Sequence, residues 1–262
     1  MENIYNGGMH IYFTFISFIL GLVLASFLNA LLYRIDNGYK YPDIFIKGSH
    51  CEKCAKQLTA YELIPIVSFL IFKGKCSKCG YKVPIYYPLS ELILGISLAS
   101  IYYHSLSPLF YLLVLFFFAF SYFDRIYKGI PQVLVNVFLL ASAGYFFIRV
   151  ILIDGIPENS LIAVILLSGV VLLLGKIFKK PFGIGDILVL IGLGFIFPLN
   201  YFLGFLYVFL ILSSLSSVFL VMLKKASFKS SIPLLPFMYC SLGILFLFNE
   251  KIIEILESIF FL

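Results

Sequence analysis

The chain has 262 residues, of which 62% are hydrophobic and 12% charged, and its mean hydropathy is +1.06. Its 30 Phe and 18 Tyr fall within long uninterrupted apolar runs, which exclude a soluble globular domain. A net charge of +6 would suit a nucleic-acid partner, but the placement of the basic residues, given below, argues against one.

The apolar runs lie near 11–33, 86–102, 107–123, 132–153, 160–177, 186–199, 201–222 and 233–249. They predict an all-α, polytopic membrane protein of about eight transmembrane helices, a single membrane domain over 1–262 with a cytosolic insert at 35–85. The first run has no basic flank before it and no small-residue cleavage site followed by a polar chain, so it reads as a retained anchor. The run at 186–199 is thinned by Gly192 and Gly194 and ended by Pro198.

With the N-terminus outside, the inner segments 34–85, 124–131, 178–185 and 223–232 carry most of the Lys and Arg. The outer segments 1–10, 103–106 and 154–159 carry none, and Arg149 and Lys251 are the exceptions near outer ends. This positive-inside asymmetry sets the orientation and accounts for the basic balance through the lipid bilayer, with no nucleic acid. The expected location is a prokaryotic cytoplasmic (inner) membrane, crossed several times.

The insert holds Cys51-Glu-Lys-Cys54 and Cys76-Ser-Lys-Cys79, separated by the 21 residues 55–75. Paired Cys-x-x-Cys knuckles at this spacing fit a tetrahedral zinc site of Cys51, Cys54, Cys76 and Cys79. The insert faces a reducing compartment, where structural disulfides are rare, and one metal would fold a loop too small to hold itself. Gly80 suits a tight turn around the metal. His50 reads as a surface residue and Cys240 as an inert buried thiol. The apolar stretch Leu63–Phe72 is too short to span and is expected at the membrane surface.

Two acids stand beside spans in a chain poor in acids. Asp124 ends the run Leu112–Phe123, and Asp186 follows Gly183-Ile184-Gly185 and opens the run Ile187–Phe197. Ionisable groups near hydrocarbon are costly and point to function. Taken singly, Asp124 could merely close a helix beside Arg125, and Asp186 could merely cap one. Both fall at the cytosolic face, where a pair sharing one proton could activate water for peptide hydrolysis. Gly183 and Gly185 would let the backbone turn sharply and clear space for an extended peptide. Ser26 and Asn29 are expected to bond neighbouring helices. Glu250, Lys251, Glu254 and Glu257 read as a solvated tail.

These residues resemble the type IV prepilin peptidases, Gly-x-Gly-Asp intramembrane aspartic proteases that also act as N-methyltransferases. The matching stretches are Ala25-Ser26-Phe27-Leu28-Asn29 with Arg34, and Ser49-His50-Cys51 with both knuckles and Leu63-Ile64-Pro65. Tyr87-Pro88-Leu89-Ser90-Glu91, Asp124 with Ile130-Pro131, Gly183-Ile184-Gly185-Asp186, and Ile232-Pro233 with Pro236-Phe237 complete them. The resemblance implies Asp124 and Asp186 as the catalytic pair and a prepilin or pseudopilin substrate with a short basic leader. Cleavage would fall at the cytosolic border after Gly, and the new N-terminus would be methylated from S-adenosylmethionine. Glu91 is the candidate to assist that step, or else a structural partner of Arg34 and Asn29. The chain departs from the family at Leu188, where Lys is usual, and at Tyr86, where Arg is common.

Two other functions fit parts of the sequence. One is a leader peptidase that does not methylate. The other is a non-enzymatic membrane scaffold or proton-relay transporter, which should place its acids at mid-depth. An archaeal-type preflagellin peptidase would share the acid pair but generally lacks the cysteine insert.

Overall fold

A computed structural model describes residues 2–151, 183–223 and 233–260. The regular elements among these residues are helices, joined by loops, with isolated antiparallel bridges in the insert. The chain divides into two compact units, Met1–Ala119 and Phe120–Leu262.

In the first unit, α1 (Glu2–Asp36) packs lengthwise on α4 (Tyr86–Tyr103). Small residues let the two backbones approach, as in membrane helix pairs that lack a hydrophobic driving force between them. A Cβ on Gly21 would sit 2.7 Å from Gly95 Cα, and one on Gly95 would meet Leu22 Cδ2 at 2.7 Å. Ala25 and Leu94 are fully buried in the same unit. Asn29 fulfils the expectation of an interhelical bond, donating from Nδ2 to Ser90 Oγ on α4 at 3.0 Å. Pro88 lies in the first turn of α4, where a missing N–H costs nothing.

Between these helices lie α2 (Asp43–Ile46), a 3₁₀ turn at Ala60–Leu63 and α3 (Val67–Ile71). Leu70 and Ile71 stay largely exposed, while Phe69 packs against Gly74. The insert thus presents apolar side chains outward, as the run Leu63–Phe72 suggested.

α5 (Leu109–Tyr127) runs across the boundary between the units. In the second unit, α6 (Gln132–Arg149) packs on α7 (Ile184–Ile196), with Phe138 pressed onto Gly192. α8 (Leu199–Met222) starts after Pro198 and packs on α9 (Leu235–Leu247) and α10 (Asn249–Phe260). Gly204 on α8 accepts Ile252, Leu245 and Leu256 around it. The segment read as a solvated tail is therefore a helix with one face packed: Leu256 is buried while Glu250, Lys251 and Glu254 face out.

By length and composition four helices among the described residues can cross a membrane: Gly8–Asp36, Leu109–Tyr127, Gln132–Arg149 and Leu199–Met222. Ile184–Ile196 and Leu235–Leu247 are apolar but have only 13 residues each, short of the roughly 20 that a perpendicular crossing needs. Tyr86–Tyr103, with Glu91 and Ser90, Ser97 and Ser100, is less apolar than these four. The run at 160–177 lies outside the described residues, so the expected count of eight is matched only in part.

Candidate acid-pair site and cysteine cluster

The two knuckles of the insert are near copies of one another. Cys51 N bonds Lys56 O at 2.9 Å, and Cys76 N bonds Tyr81 O at 2.9 Å. Bridges His50–Gln57 and Lys75–Lys82 close the two loops. The residue after each second cysteine turns left-handed, Gly80 with φ 68° and Ala55 with φ 53°. Glycine adopts this conformation freely; alanine there is strained.

The four sulfurs expected to gather do so, all within 4.8 Å of one another. Cys51 Sγ lies 3.8 Å from Cys79 Sγ, and Cys54 Sγ lies 3.9 Å from Cys76 Sγ. Four sulfurs at about 2.3 Å from a tetrahedral zinc would be about 3.8 Å apart, so the cluster has the dimensions to hold that metal. Hydrogen bonds from the backbone at Cys79 and Lys78 bring the Cys76 thiol down to about 6, while Cys79, despite the Tyr81 amide, is pushed up to about 11 by burial and the neighbouring sulfurs, so the proton released first comes from the Cys76 side of the group. His50 stacks edge-on against Tyr33 and is not part of the cluster.

A polar network joins the knuckles. Lys56 Nζ bonds Glu62 Oε1 at 2.7 Å and Ser77 Oγ at 2.6 Å. Glu62 Oε2 accepts from Thr59 N, closing a capping box over the 3₁₀ turn. Lys56, then Ser77 and the Thr59 amide, hold the Glu62 carboxyl down to about 2.

Glu91 is 7% exposed on α4, and its Oε2 accepts from Ile66 N at 2.9 Å, with Ser26 also in hydrogen-bond reach. It is a partner of neither Arg34 nor Asn29, the structural alternative the sequence suggested. Asn29 turns to Ser90, and Arg34 Nη1 donates to Ile44 O at 2.8 Å. Ile66 has φ 60°, unfavourable for a β-branched residue, so Glu91 anchors a strained turn of the insert to α4.

The two acids lie in the second unit. Asp124 sits in the last turn of α5, three residues short of its end, and is 5% exposed. Its Oδ2 accepts from Leu235 N at 3.0 Å, and the Leu234 amide also bonds it. Asp124 is thus seated at the N-terminus of α9, where unpaired amides and the helix dipole favour an anion. Sequence reading missed this seat; its visible signal was Pro236, which falls in the first turn of α9.

Asp186 stands in the first turn of α7, whose cap position is Gly183, so the acid is not the cap. It is half-buried and within Coulombic reach of Asp124. Gly183 has φ −52° and Gly185 is helical, so neither needs glycine for its backbone angles. Space is the reason at Gly183: a Cβ there would lie 3.1 Å from Asp186 Oδ2. At Gly185 a Cβ would meet Ile130 Cδ1 at an ordinary 3.4 Å.

Residues 19–105 match the model of the Bacterial Peptidase A24 N-terminal domain. A prepilin leader peptidase/N-methyltransferase of Neisseria gonorrhoeae is 33% identical over 99 residues, covering 30% of this chain and 35% of that protein. One of Bacillus subtilis (strain 168) is 44% identical over 78 residues, covering 30% of each. One of Pseudomonas putida is 25% identical over 272 residues, covering 92% of each. The chain therefore aligns with about a third of the first two relatives and nearly all of the third. No solved structure matches.

Proposed function

Because this chain carries the bacterial peptidase A24 N-terminal domain and resembles a prepilin leader peptidase/N-methyltransferase over most of its length, we propose that it removes the leader of type IV prepilins or pseudopilins. The chemistry is that of a membrane aspartic endopeptidase, with Asp124 and Asp186 as the catalytic pair at the cytosolic face. The observation that carries this reading is the approach of two acids from separate helices, each beside an apolar run.

The two carboxyls hold one proton between them. Asp124 bears the charge, since two α9 amides already point at it. It takes a proton from water as the oxygen attacks the scissile carbonyl. Asp186 keeps the proton, polarises that carbonyl, and gives the proton to the leaving amide nitrogen.

Cys51, Cys54, Cys76 and Cys79 would hold zinc as a structural ion that keeps the insert folded. The insert and α4, with Glu91, would serve N-methylation of the new N-terminus, for which S-adenosylmethionine supplies the methyl group. A leader peptidase without that second activity is the alternative, favoured by Tyr86 and Leu188 at the two positions of departure.

The test incubates purified protein with a prepilin and S-adenosylmethionine and weighs the product. The expected product is a shortened pilin carrying one added methyl. A shortened pilin without the methyl would select the alternative, and an unprocessed pilin would remove the peptidase reading.

A further inference from the structure

The first unit holds a half-open cavity of about 220 Å³ that Cys51 and Cys76 help to line, with α1, α4 and the insert as its walls. Sites that enclose a whole drug-sized ligand are larger, roughly 300–1,000 Å³, so this one suits a head group. Two buried charges of opposite sign line it: Arg34 and Glu91, each 7% exposed. Neither has an ion-pair partner among the described residues, and they do not pair with each other. Arg34 spends one donor on Ile44 O, and Glu91 accepts from neutral donors only. A buried ion is costly unless an opposite charge meets it.

Asn29 lines the same cavity. The single hydrogen of the Ser90 hydroxyl goes to Tyr87 O, so Ser90 accepts from the Asn29 amide, which fixes that amide's orientation. Asn29 Oδ1 is then a buried acceptor without a donor.

We propose that this cavity receives an α-amino-acid zwitterion, its carboxylate on Arg34 and its ammonium on Glu91 with Asn29 Oδ1 as a further acceptor. The ligand is the amino-acid end of the methyl donor, an identification that rests on the methyltransferase reading above. A purely anionic or purely cationic ligand would leave one of the two charges unmet.

Calorimetric binding to the zinc-loaded full chain in detergent micelles tests this with S-adenosylhomocysteine. Comparison ligands are S-adenosyl-3-thiopropylamine, which lacks the carboxylate, and free methionine. In the unaltered protein, loss of the carboxylate should weaken binding about tenfold or more, the usual weight of a charge-assisted hydrogen bond. Arg34→Gln should weaken S-adenosylhomocysteine by a similar factor yet leave the carboxylate-free analogue unaffected. Glu91→Gln should weaken both. Zinc content per chain checks that the variants are folded, and if Arg34→Gln loses zinc, the ligand comparison in the unaltered protein decides alone. Equal binding of the two adenosyl ligands overturns the proposal, as does binding of methionine without S-adenosylhomocysteine. If pilin is methylated while the ligand series is flat, only the cavity assignment falls. If pilin is cleaved but not methylated and S-adenosylhomocysteine does not bind, the methyltransferase reading falls with it.

Discussion

The cysteine insert and the acid site are built by opposite strategies. The insert is local: ligands three residues apart, closed by hydrogen bonds within each loop and joined across the Lys56–Glu62–Ser77 network. The acid site is non-local, drawing Asp124 from the end of α5, Asp186 from the start of α7, and two amides from the start of α9. A local device should fail as a unit when its metal goes, whereas an assembled site should lose function atom by atom while the helices stand.

The largest effects should therefore be on catalysis with little loss of fold. Asp124→Asn or Asp186→Asn should each slow leader removal by about 10²–10⁴-fold, the usual range for a general acid or base. Circular dichroism should show unchanged helix content; a variant that keeps full cleavage would separate that acid from the site. In the insert the order is reversed. Cys51→Ser or Cys76→Ser should release zinc, read by metal analysis, and expose the insert to protease. Full zinc occupancy in either variant would argue against ligation by four sulfurs.

A smaller effect sharpens the geometry beside the acid. Gly183→Ala would place a methyl 3.1 Å from Asp186 Oδ2, so the carboxyl must give way by a few tenths of an ångström. Cleavage should fall by about tenfold, less than the hundredfold expected for a full ångström of misplacement. The matching probe of the insert is Ala55→Gly. Relief of the left-handed alanine should raise the stability of the metal-bound insert by about 1 kcal/mol, read as slower zinc loss to a chelator. Gly80→Ala should do the reverse.

The smallest effect is on pH. Glu62 titrates at about 2 in the folded insert against 4.5 ordinarily, so its contribution is full above about 4.5 and fades as pH falls toward 2. The stability difference between unaltered protein and Glu62→Gln should shrink steadily between pH 5 and pH 2.5. A difference that grows on acidification would contradict the network.

What the sequence disclosed follows the same division. Cysteine spacing and Gly80 announced the knuckles because every constraint lies within a few residues. Apolar runs announced helices, but helices of 13 residues at Ile184–Ile196 and Leu235–Leu247 show that a run's apolarity does not set its helical length. The acids stood out as charges beside apolar runs, yet the seat of Asp124 was invisible because its donors lie 111 positions away at Leu235. Gly183 was marked as a turn residue that also clears space for a peptide, and its packing shows that the room it leaves is taken by the Asp186 carboxyl. The partner of Glu91 was also misplaced: a backbone amide at a strained Ile66 leaves no side-chain signature to read.

The account rests on Asp124 and Asp186 acting as one unit, and a double-variant comparison of prepilin cleavage addresses that most directly. Rates are measured for the unaltered protein, the two single Asp→Asn variants and the pair together. Groups that share one proton are grossly non-additive, so the double variant should be no slower than the slower single variant. Two single losses that multiply in the double variant would mean that the acids work independently, and the shared-proton mechanism would be wrong.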